Sequence, residues 1–300
     1  KRTNQNGWKI GFRGIAGAVA NVRTTIVSGL PFSGFGNSCP IIEVPVDSDT
    51  RALNGLISNF NSFILDFVTR HKISGVNLNF YIVEQLPILS PGIYKGKINS
   101  FVTPRVIELI YTAWDLLAYA NDVWSDSGPE LRLAIDQQWQ DNVTITNGGH
   151  KNVEPPAWVN YLHADEPKDT FPNPPFMWDK ERRLQLRAEL DGFFGHLYGL
   201  QRDELAYILD TFPIVERKDR EEYGEYRTKR LVLEAYDRLA DRADEFGFPE
   251  KGPSVLEEGY TTPAPQIEES KGPESEEDDD PQVVEENEKK PSSNPHTKTE

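Results

Sequence analysis

The 300-residue chain has one cysteine, Cys39, and no stretch that approaches the roughly 18 consecutive apolar residues of a transmembrane helix. A single cysteine excludes an internal disulfide framework and a cysteine-rich zinc site. The N-terminal sequence KRTNQNGWKIGFRG lacks the apolar core of a signal peptide. These absences indicate a cytoplasmic protein without a membrane contact. Because the sequence starts at Lys1 rather than at Met, we expect a fragment or a processed product.

Positive charge is scarce overall but is unevenly distributed. The formal net charge is −16, yet residues 1–100 contain ten Lys and Arg against five Asp and Glu, a net of +5. Residues 251–300 contain five against fourteen, a net of −9. Contact with nucleic-acid phosphates requires a positive surface. The N-terminal block is therefore the candidate surface for nucleic acid, with a chance fluctuation of a few charges as the alternative.

Strand and helix patterns divide the first part of the chain. Residues 1–48 combine Val, Ile and Thr with frequent Gly, which is typical of short strands separated by turns. From about Arg51, apolar residues recur in steps of three and four. This spacing predicts one amphipathic helix, capped by Asp49 or Thr50 and ending near Arg70–Lys72.

Further elements follow the same patterns. Alternating apolar residues over 76–82 predict a strand, and a second helix is expected over about 104–123. Residues 125–178 are rich in Gly, Pro and Asn and predict a long irregular region. Three later helices are predicted over about Lys180–Tyr198, Arg202–Leu209 and Arg220–Phe246. From Glu250 the chain has too few large apolar residues to offset its ordering entropy, so we expect a disordered acidic tail.

One short motif suggests catalysis. Asn173–Phe176 reads Asn-Pro-Pro-Phe, the motif with which adenine methyltransferases hold and stack on an extruded base. That chemistry also needs a glycine-rich cofactor turn between a strand and a helix. Gly11, Gly14 and Gly17 are spaced by threes, and no helical pattern follows Gly34–Gly36. We therefore interpret Asn173–Phe176 as the lead-in to the next helix rather than as a catalytic motif.

Other catalytic and metal-binding patterns are weak. Glu166 and Lys168, after Asp165, form the E-x-K of some metal-dependent nucleases, but the surrounding sequence is typical of a loop. The five histidines lack metal-ligand spacing, and His196 among aromatic residues favours core packing. Cys39 and the hydroxyl residues have no partner base at a recognisable spacing. We therefore expect this chain alone to be non-catalytic.

Four phrases in order carry a family resemblance. They are WKIGFRGIAGAVANVRTTIVSGLPFSGFGNSCPII, LNGLISNFNSFILDFVTRHKISGVNLNFYIVEQLPIL, ELIYTAWDLLAYAND and the stretch from WDKERRLQLRAEL to LVLEAYD. Together they resemble the C-terminal part of large type II restriction–modification adenine methyltransferases, including relatives in phage-defence systems. The likeness covers about residues 7–245 and is weak over 125–175. Residues 72–79 are also similar to the specificity subunits of type I systems.

The resemblance implies that catalysis and DNA recognition belong to different parts of the parent protein. An upstream domain, with or without a fused endonuclease, would bind S-adenosylmethionine and methylate adenine at N6, while this chain binds double-stranded DNA and selects the target. No cofactor is expected on this chain itself. The DNA-contacting residues implied are Arg13, Arg23, Thr24, Asn37, Lys72, Ser74, Gly75, Asn77 and Asn79. Among them, Lys72 and Gly75 suit phosphates, and Arg23 or Asn79 suits base edges.

The expected fold class is α+β. A small β-rich module with a long helix is followed by a helical region and a tail. The expected boundaries are 1–125 for the DNA target-recognition module, 126–178 for an irregular connection, 179–248 for the helical region and 249–300 for the disordered acidic tail. The alternative function is a non-catalytic protein-interaction module with an acidic tail, in which the basic N-terminal block is incidental.

Overall fold

A computed structural model describes residues 7–17, 21–45, 48–148, 154–157, 159 and 170–256. These residues all belong to one unit, Lys1–Ala264. The described part combines a small antiparallel sheet with many helices, so the α+β fold class is confirmed. Most of the predicted acidic tail lies outside the described residues, and the predicted domain boundaries stay a prediction.

Three strands form the sheet in the order β2-β1-β3, with every neighbouring pair antiparallel. They are β1 (Trp8–Phe12), β2 (Val27–Pro31) and β3 (Ile41–Ile42). The central strand places Ile10 opposite Gly29 on one side and Ile42 on the other. Its Trp8 ring packs edge-on against Tyr119 at 5.0 Å, which joins the sheet to the helices.

Helices make up most of the remaining described chain. They are α1 (Thr50–Phe60), α2 (Phe63–Lys72), α3 (Phe80–Val83), α4 (Gly96–Ile110), α5 (Leu117–Asp126), α6 (Pro129–Ile145), α7 (Lys180–Leu197), α8 (Arg202–Asp210), α9 (Pro213–Tyr223), α10 (Arg227–Ala240) and α11 (Ala243–Phe246). Within the described ranges, no helix has both the length and the apolar character needed to cross a bilayer.

The segment predicted as a single helix from Arg51 to Lys72 forms two helices, so the prediction of one continuous helix was wrong. Asn61 ends α1, and its side chain bonds both the N–H and the carbonyl of Val27 in β2, at 3.2 and 2.7 Å. Ser62 then caps α2 by accepting from the Leu65 N–H at 3.2 Å. The predicted cap Asp49 is confirmed, since its carboxylate accepts from the Arg51 N–H.

Two predictions around residues 76–123 were also wrong. Instead of a strand over 76–82, the chain makes one isolated bridge, Ile15 to Asn77, and then enters α3. The helix expected from Pro104 to Val123 begins earlier and ends at Ile110. Proline commonly occupies the first turn of a helix, but Pro104 lies inside α4.

The irregular region predicted over 125–178 contains the 17-residue helix α6. Its inner face buries the amides Gln138 and Asn142 beside the apolar Leu131 and Ile135. Because half of this buried stripe is polar, apolar periodicity fails to reveal the helix. The long helix predicted from Arg220 to Phe246 is likewise interrupted at Gly224, which ends α9 with a left-handed φ of 76°.

The predicted helices near 180–198 and 202–209 are confirmed as α7 and α8. Helices α7 and α10 approach closely at Gly192, where an added Cβ would lie 2.7 Å from the Tyr236 nitrogen. His196 stacks between Tyr236 and Phe248 at 3.9 and 4.6 Å, and its Nε2 lies 2.8 Å from the Tyr236 carbonyl oxygen. Burial lowers the pKa of His196, which agrees with a packing role.

Candidate nucleic-acid interface

A groove forms where the chain leaves β1. Just after β1, the Gly14 N–H donates to the Ser38 carbonyl at 2.8 Å. The Gly14 carbonyl accepts from the Leu78 N–H at 2.7 Å. One glycine therefore ties together two walls, residues 35–41 and residues 77–81. We call the space between them the asparagine groove.

Gly14 also explains why the walls come close. A Cβ at this position would lie 3.1 Å from Pro40 Cδ and 3.4 Å from the Asn37 carbonyl oxygen. A larger residue would therefore push the first wall outwards. The two walls and the floor residues Gly14 and Ile15 enclose a volume of about 960 Å³.

The groove has no charged side chain on its described lining, residues 14–15, 35–41 and 77–81. Its exposed polar side chains are the hydroxyl of Ser38 and the three amides of Asn37, Asn77 and Asn79. In the described part of the chain, none of these three side-chain amides has a hydrogen-bond partner. Asn79 precedes α3 as its N-cap and still makes no side-chain capping bond. The three amides are thus available to a ligand.

Apolar side chains border these amides and remain in solvent. Ile15 is 56% exposed, Phe80 is 51% exposed and Tyr81 is 59% exposed. The Phe80 ring rests edge-on against the buried Phe12 at 5.4 Å, which holds it in place. Exposed apolar groups gathered at one cleft are typical of a binding surface.

No protein-family model, curated protein or solved structure matches this chain. What the groove binds has therefore to be inferred from its shape, its polar groups and its charge. Amides beside exposed rings, without carboxylates, suit a planar neutral ligand with polar edges, such as a nucleobase.

Arg23 and Thr24 lie away from this groove, in an internal ion cluster. Arg23 Nε donates to Asp66 at 2.7 Å, and its guanidinium lies 4.0 Å from the Phe63 ring. Thr24 is fully buried, and its N–H donates to Asp66 at 3.0 Å. Asp66 is buried too and also accepts from Arg70 at 3.2 Å. These side chains hold the loop before β2 onto α2, so we leave Arg23 and Thr24 out of the proposed DNA surface.

Arg13 is partly buried and donates to the Arg23 carbonyl, so it supports the same loop. Lys72, Ser74 and Gly75 are exposed at and after the end of α2. They do not line the groove, but they lead directly into its second wall at Asn77. The structure thus brings together Asn37, Asn77 and Asn79 in the groove. The other expected contacts lie outside its lining, either in the loop before β2 or in the segment that leads from α2 to Asn77.

The Asn-Pro-Pro-Phe motif is part of the helical core. Phe176 is 1% exposed, and its N–H donates to the Tyr111 carbonyl at 2.9 Å. Asn173 donates to Asp136 at 3.1 Å, and Trp139 donates to the Pro174 carbonyl at 3.0 Å. An extruded base therefore cannot stack on Phe176 without unpacking the core, which agrees with the lead-in interpretation.

The E-x-K pattern at Asp165, Glu166 and Lys168 lies outside the described residues. Across the described ranges, no three His, Cys, Asp or Glu side chains are grouped to hold a metal ion. Sequence reasoning missed the exposure of Phe80, because the alternation over 76–82 assigned it to the buried face of a strand. The neighbouring Tyr81 gave no signal, since adjacent residues of a strand face opposite sides and an exposed Tyr81 is compatible with a buried Phe80.

Proposed function

We propose that this chain binds duplex DNA and that the asparagine groove contacts the edges of its bases. The observation that supports this proposal is the set of three exposed, unpartnered amides, Asn37, Asn77 and Asn79, in an uncharged groove. An asparagine amide can donate and accept at once, which matches the N6 and N7 positions of adenine in the major groove. The exposed rings of Phe80 and Tyr81 provide apolar contacts of the kind that thymine methyl groups accept.

The family resemblance suggests a biological role for this DNA binding. Within that proposal, the chain selects the target sequence for an adenine-N6 DNA methyltransferase of a restriction–modification system. The S-adenosylmethionine site would belong to a catalytic domain in cis, and this chain would neither bind that cofactor nor methylate DNA alone. Asn173 and Phe176 have internal partners, which is consistent with that assignment.

The test is selection of preferred sequences from a random duplex library by the purified chain. Wild type should enrich a defined sequence. Asn77→Ala and Asn79→Ala should each relax or shift the preference at particular base pairs, by roughly tenfold per pair, since one bidentate contact contributes about 1–3 kcal/mol of discrimination. Gln137→Ala is the matched control, because it also removes an exposed amide, but on α6.

An enriched sequence that is identical for wild type, Asn77→Ala and Asn79→Ala would remove the groove from the proposal. Failure of wild type to enrich any sequence would refute sequence recognition by this chain.

A second function is favoured by one observation. The exposed apolar groups Ile15, Phe32, Val76, Phe80 and Tyr81 lie on the segments that form or adjoin the groove, which also suits a protein partner. Ionic strength separates the two functions. DNA affinity should fall steeply between about 50 and 200 mM salt, because bound cations are released from the phosphates. No DNA binding at low salt would favour the protein-interaction module.

A further inference from the structure

Arg183 and Arg187 differ from most arginines of this chain. At least twelve arginines in the described ranges lie within 4.0 Å of a carboxylate oxygen. Arg183 and Arg187 have no such carboxylate among the described residues. They lie one turn apart on α7, in a part of the chain with a strong excess of acidic residues.

The two guanidinium groups are held in place by neutral partners. Arg183 lies 3.8 Å over the ring of Trp178, which is 67% exposed, and donates to the Leu109 carbonyl at 3.0 Å. Arg187 donates from Nε to the Arg183 carbonyl at 3.2 Å. These contacts orient the cations and use only part of their five N–H donors each.

The acidic group that attracts Arg183 already has other partners. Partial burial and the charge of Arg187 lower the pKa of Arg183 to about 10, against the attraction of Glu108. Glu108 is occupied already, by Arg182, Gln138 and Asn142. An arginine guanidinium stays protonated at neutral pH, so both side chains are charged and repel each other.

Burial also lowers the pKa of Arg187, and Arg23 adds to that effect. Asp191 and Asp219 oppose it, and both are buried and hydrogen-bonded within the fold. Arg23 also lies near this pair, but its own charge is paired with the carboxylate of Asp66.

Folding accounts for only part of this arrangement, since Arg183 donates to the Leu109 carbonyl and Asp191 attracts Arg187 from four residues away. Like charges four residues apart on a helix are destabilising, whereas opposite charges at the same spacing are stabilising. The chain uses the stabilising spacing elsewhere, for example in Arg220–Glu216 on α9. Two unpaired arginines beside an exposed tryptophan are the arrangement expected where an anion is bound, because guanidinium forks match the oxygens of a phosphate.

We propose that Trp178, Arg183 and Arg187 form a contact for the phosphodiester backbone of nucleic acid, which we call the arginine patch. This inference rests on the proposed DNA binding and deepens it. The patch supplies the positive charge that the asparagine groove lacks, so the groove contributes sequence preference and the patch contributes sequence-independent affinity.

The test is the salt dependence of affinity for a fixed duplex of arbitrary sequence, measured by fluorescence anisotropy from 50 to 200 mM salt. The double variant Arg183→Gln/Arg187→Gln should reduce the slope of log affinity against log salt by about 1.8, since each phosphate contact contributes about 0.9. Its affinity at about 100 mM salt should fall by roughly tenfold or more. The control, Arg217→Gln/Arg220→Gln, removes the same charge from two exposed arginines that are each paired with a glutamate of α9.

Equal slopes for the two double variants would overturn the proposal. Arg187→Gln alone guards against a folding defect, because the hydrogen bond that this side chain makes is to its own helix. It should reduce the slope by about 0.9.

The two proposals fail in different ways. A preferred sequence with an unchanged slope would overturn the arginine patch and leave the groove proposal intact. A reduced slope without any preferred sequence would support the patch and refute sequence recognition. Wild type that binds no duplex at 50 mM salt would refute both.

Discussion

The side chain on which the loop before β2 most depends is Asp66, and its removal gives the sharpest stability prediction. Its carboxylate is fully buried on α2 and is the common acceptor of three donors. These are the Arg23 Nε at 2.7 Å, the Arg70 Nε at 3.2 Å and the Thr24 N–H at 3.0 Å. Asp66→Ala leaves two cations and one buried N–H without that acceptor.

The magnitude follows from the desolvation of the groups left behind. Breaking a buried ion pair by removing one partner costs about 3–5 kcal/mol, because the remaining charge is uncompensated. The two arginine side chains are 18% and 11% exposed, so water recovers only part of that loss. We therefore expect Asp66→Ala to lose about 3–5 kcal/mol, a large fraction of the roughly 5–15 kcal/mol typical of a folded domain.

Urea unfolding followed by circular dichroism measures the change at neutral pH. The urea concentration at the unfolding midpoint should fall. The slope of the unfolding free energy against urea concentration should stay constant, since the surface exposed on unfolding is unchanged. Glu234→Ala is the matched control, because it breaks an exposed ion pair with Arg230 and should cost less than about 1 kcal/mol. A loss for Asp66→Ala as small as that of the control would refute the buried-cluster reasoning.

Two further predictions concern α7. Burial raises the pKa of Asp191 to about 6, so the folded carboxyl holds its proton to higher pH than the unfolded one, which titrates near 4. Its contribution to stability should therefore fall by roughly 3 kcal/mol as pH rises from about 4 to about 6. Asp191→Asn should remove that fall, and parallel pH profiles of unfolding for variant and wild type would contradict it. Gly192→Ala should cost roughly 1–3 kcal/mol in urea unfolding, because its Cβ meets the Tyr236 backbone. Gly34→Ala, with open space around it, should change stability little, and equal losses would contradict the close approach of α7 and α10.

Local sequence patterns correctly predicted those helices whose regularly spaced apolar residues are the ones that are buried. The stripe of α7 is an example, and the cap at Asp49 was predicted likewise, since both depend on nearby residues. The break between α1 and α2 was missed, because the apolar stripe continues across it and Ser62 was not recognised as a helix cap. It depends on bonds from Asn61 to strand β2 and from Asp191 to the Phe63 N–H at 2.7 Å. These partners are distant in sequence, so no local pattern records them.

The same distinction applies to the site. Asn37, Asn77 and Asn79 were expected to contact DNA on the strength of a resemblance, and the structure places their amides in one groove. Arg23 and Thr24 were expected beside them, but Asp66 binds both. An arginine looks the same in a sequence whether it faces solvent or a buried carboxylate. Only the fold distinguishes the two.

Charge shows most clearly why composition alone misplaces a surface. The net of +5 over residues 1–100 suggested a basic N-terminal face, and this net already subtracts the five acidic residues of the region. Internal pairing leaves the sum unchanged but decides where the charge lies, because Arg23, Arg51 and Arg70 each contact a carboxylate of the same region. The guanidinium groups of Arg183 and Arg187 lie instead in the later, more acidic part of the chain. A nucleic acid responds to the position of charge on the surface, not to the charge summed along a segment. The phosphate contact is therefore sought on α7, and the base contact in the groove that the N-terminal sheet builds.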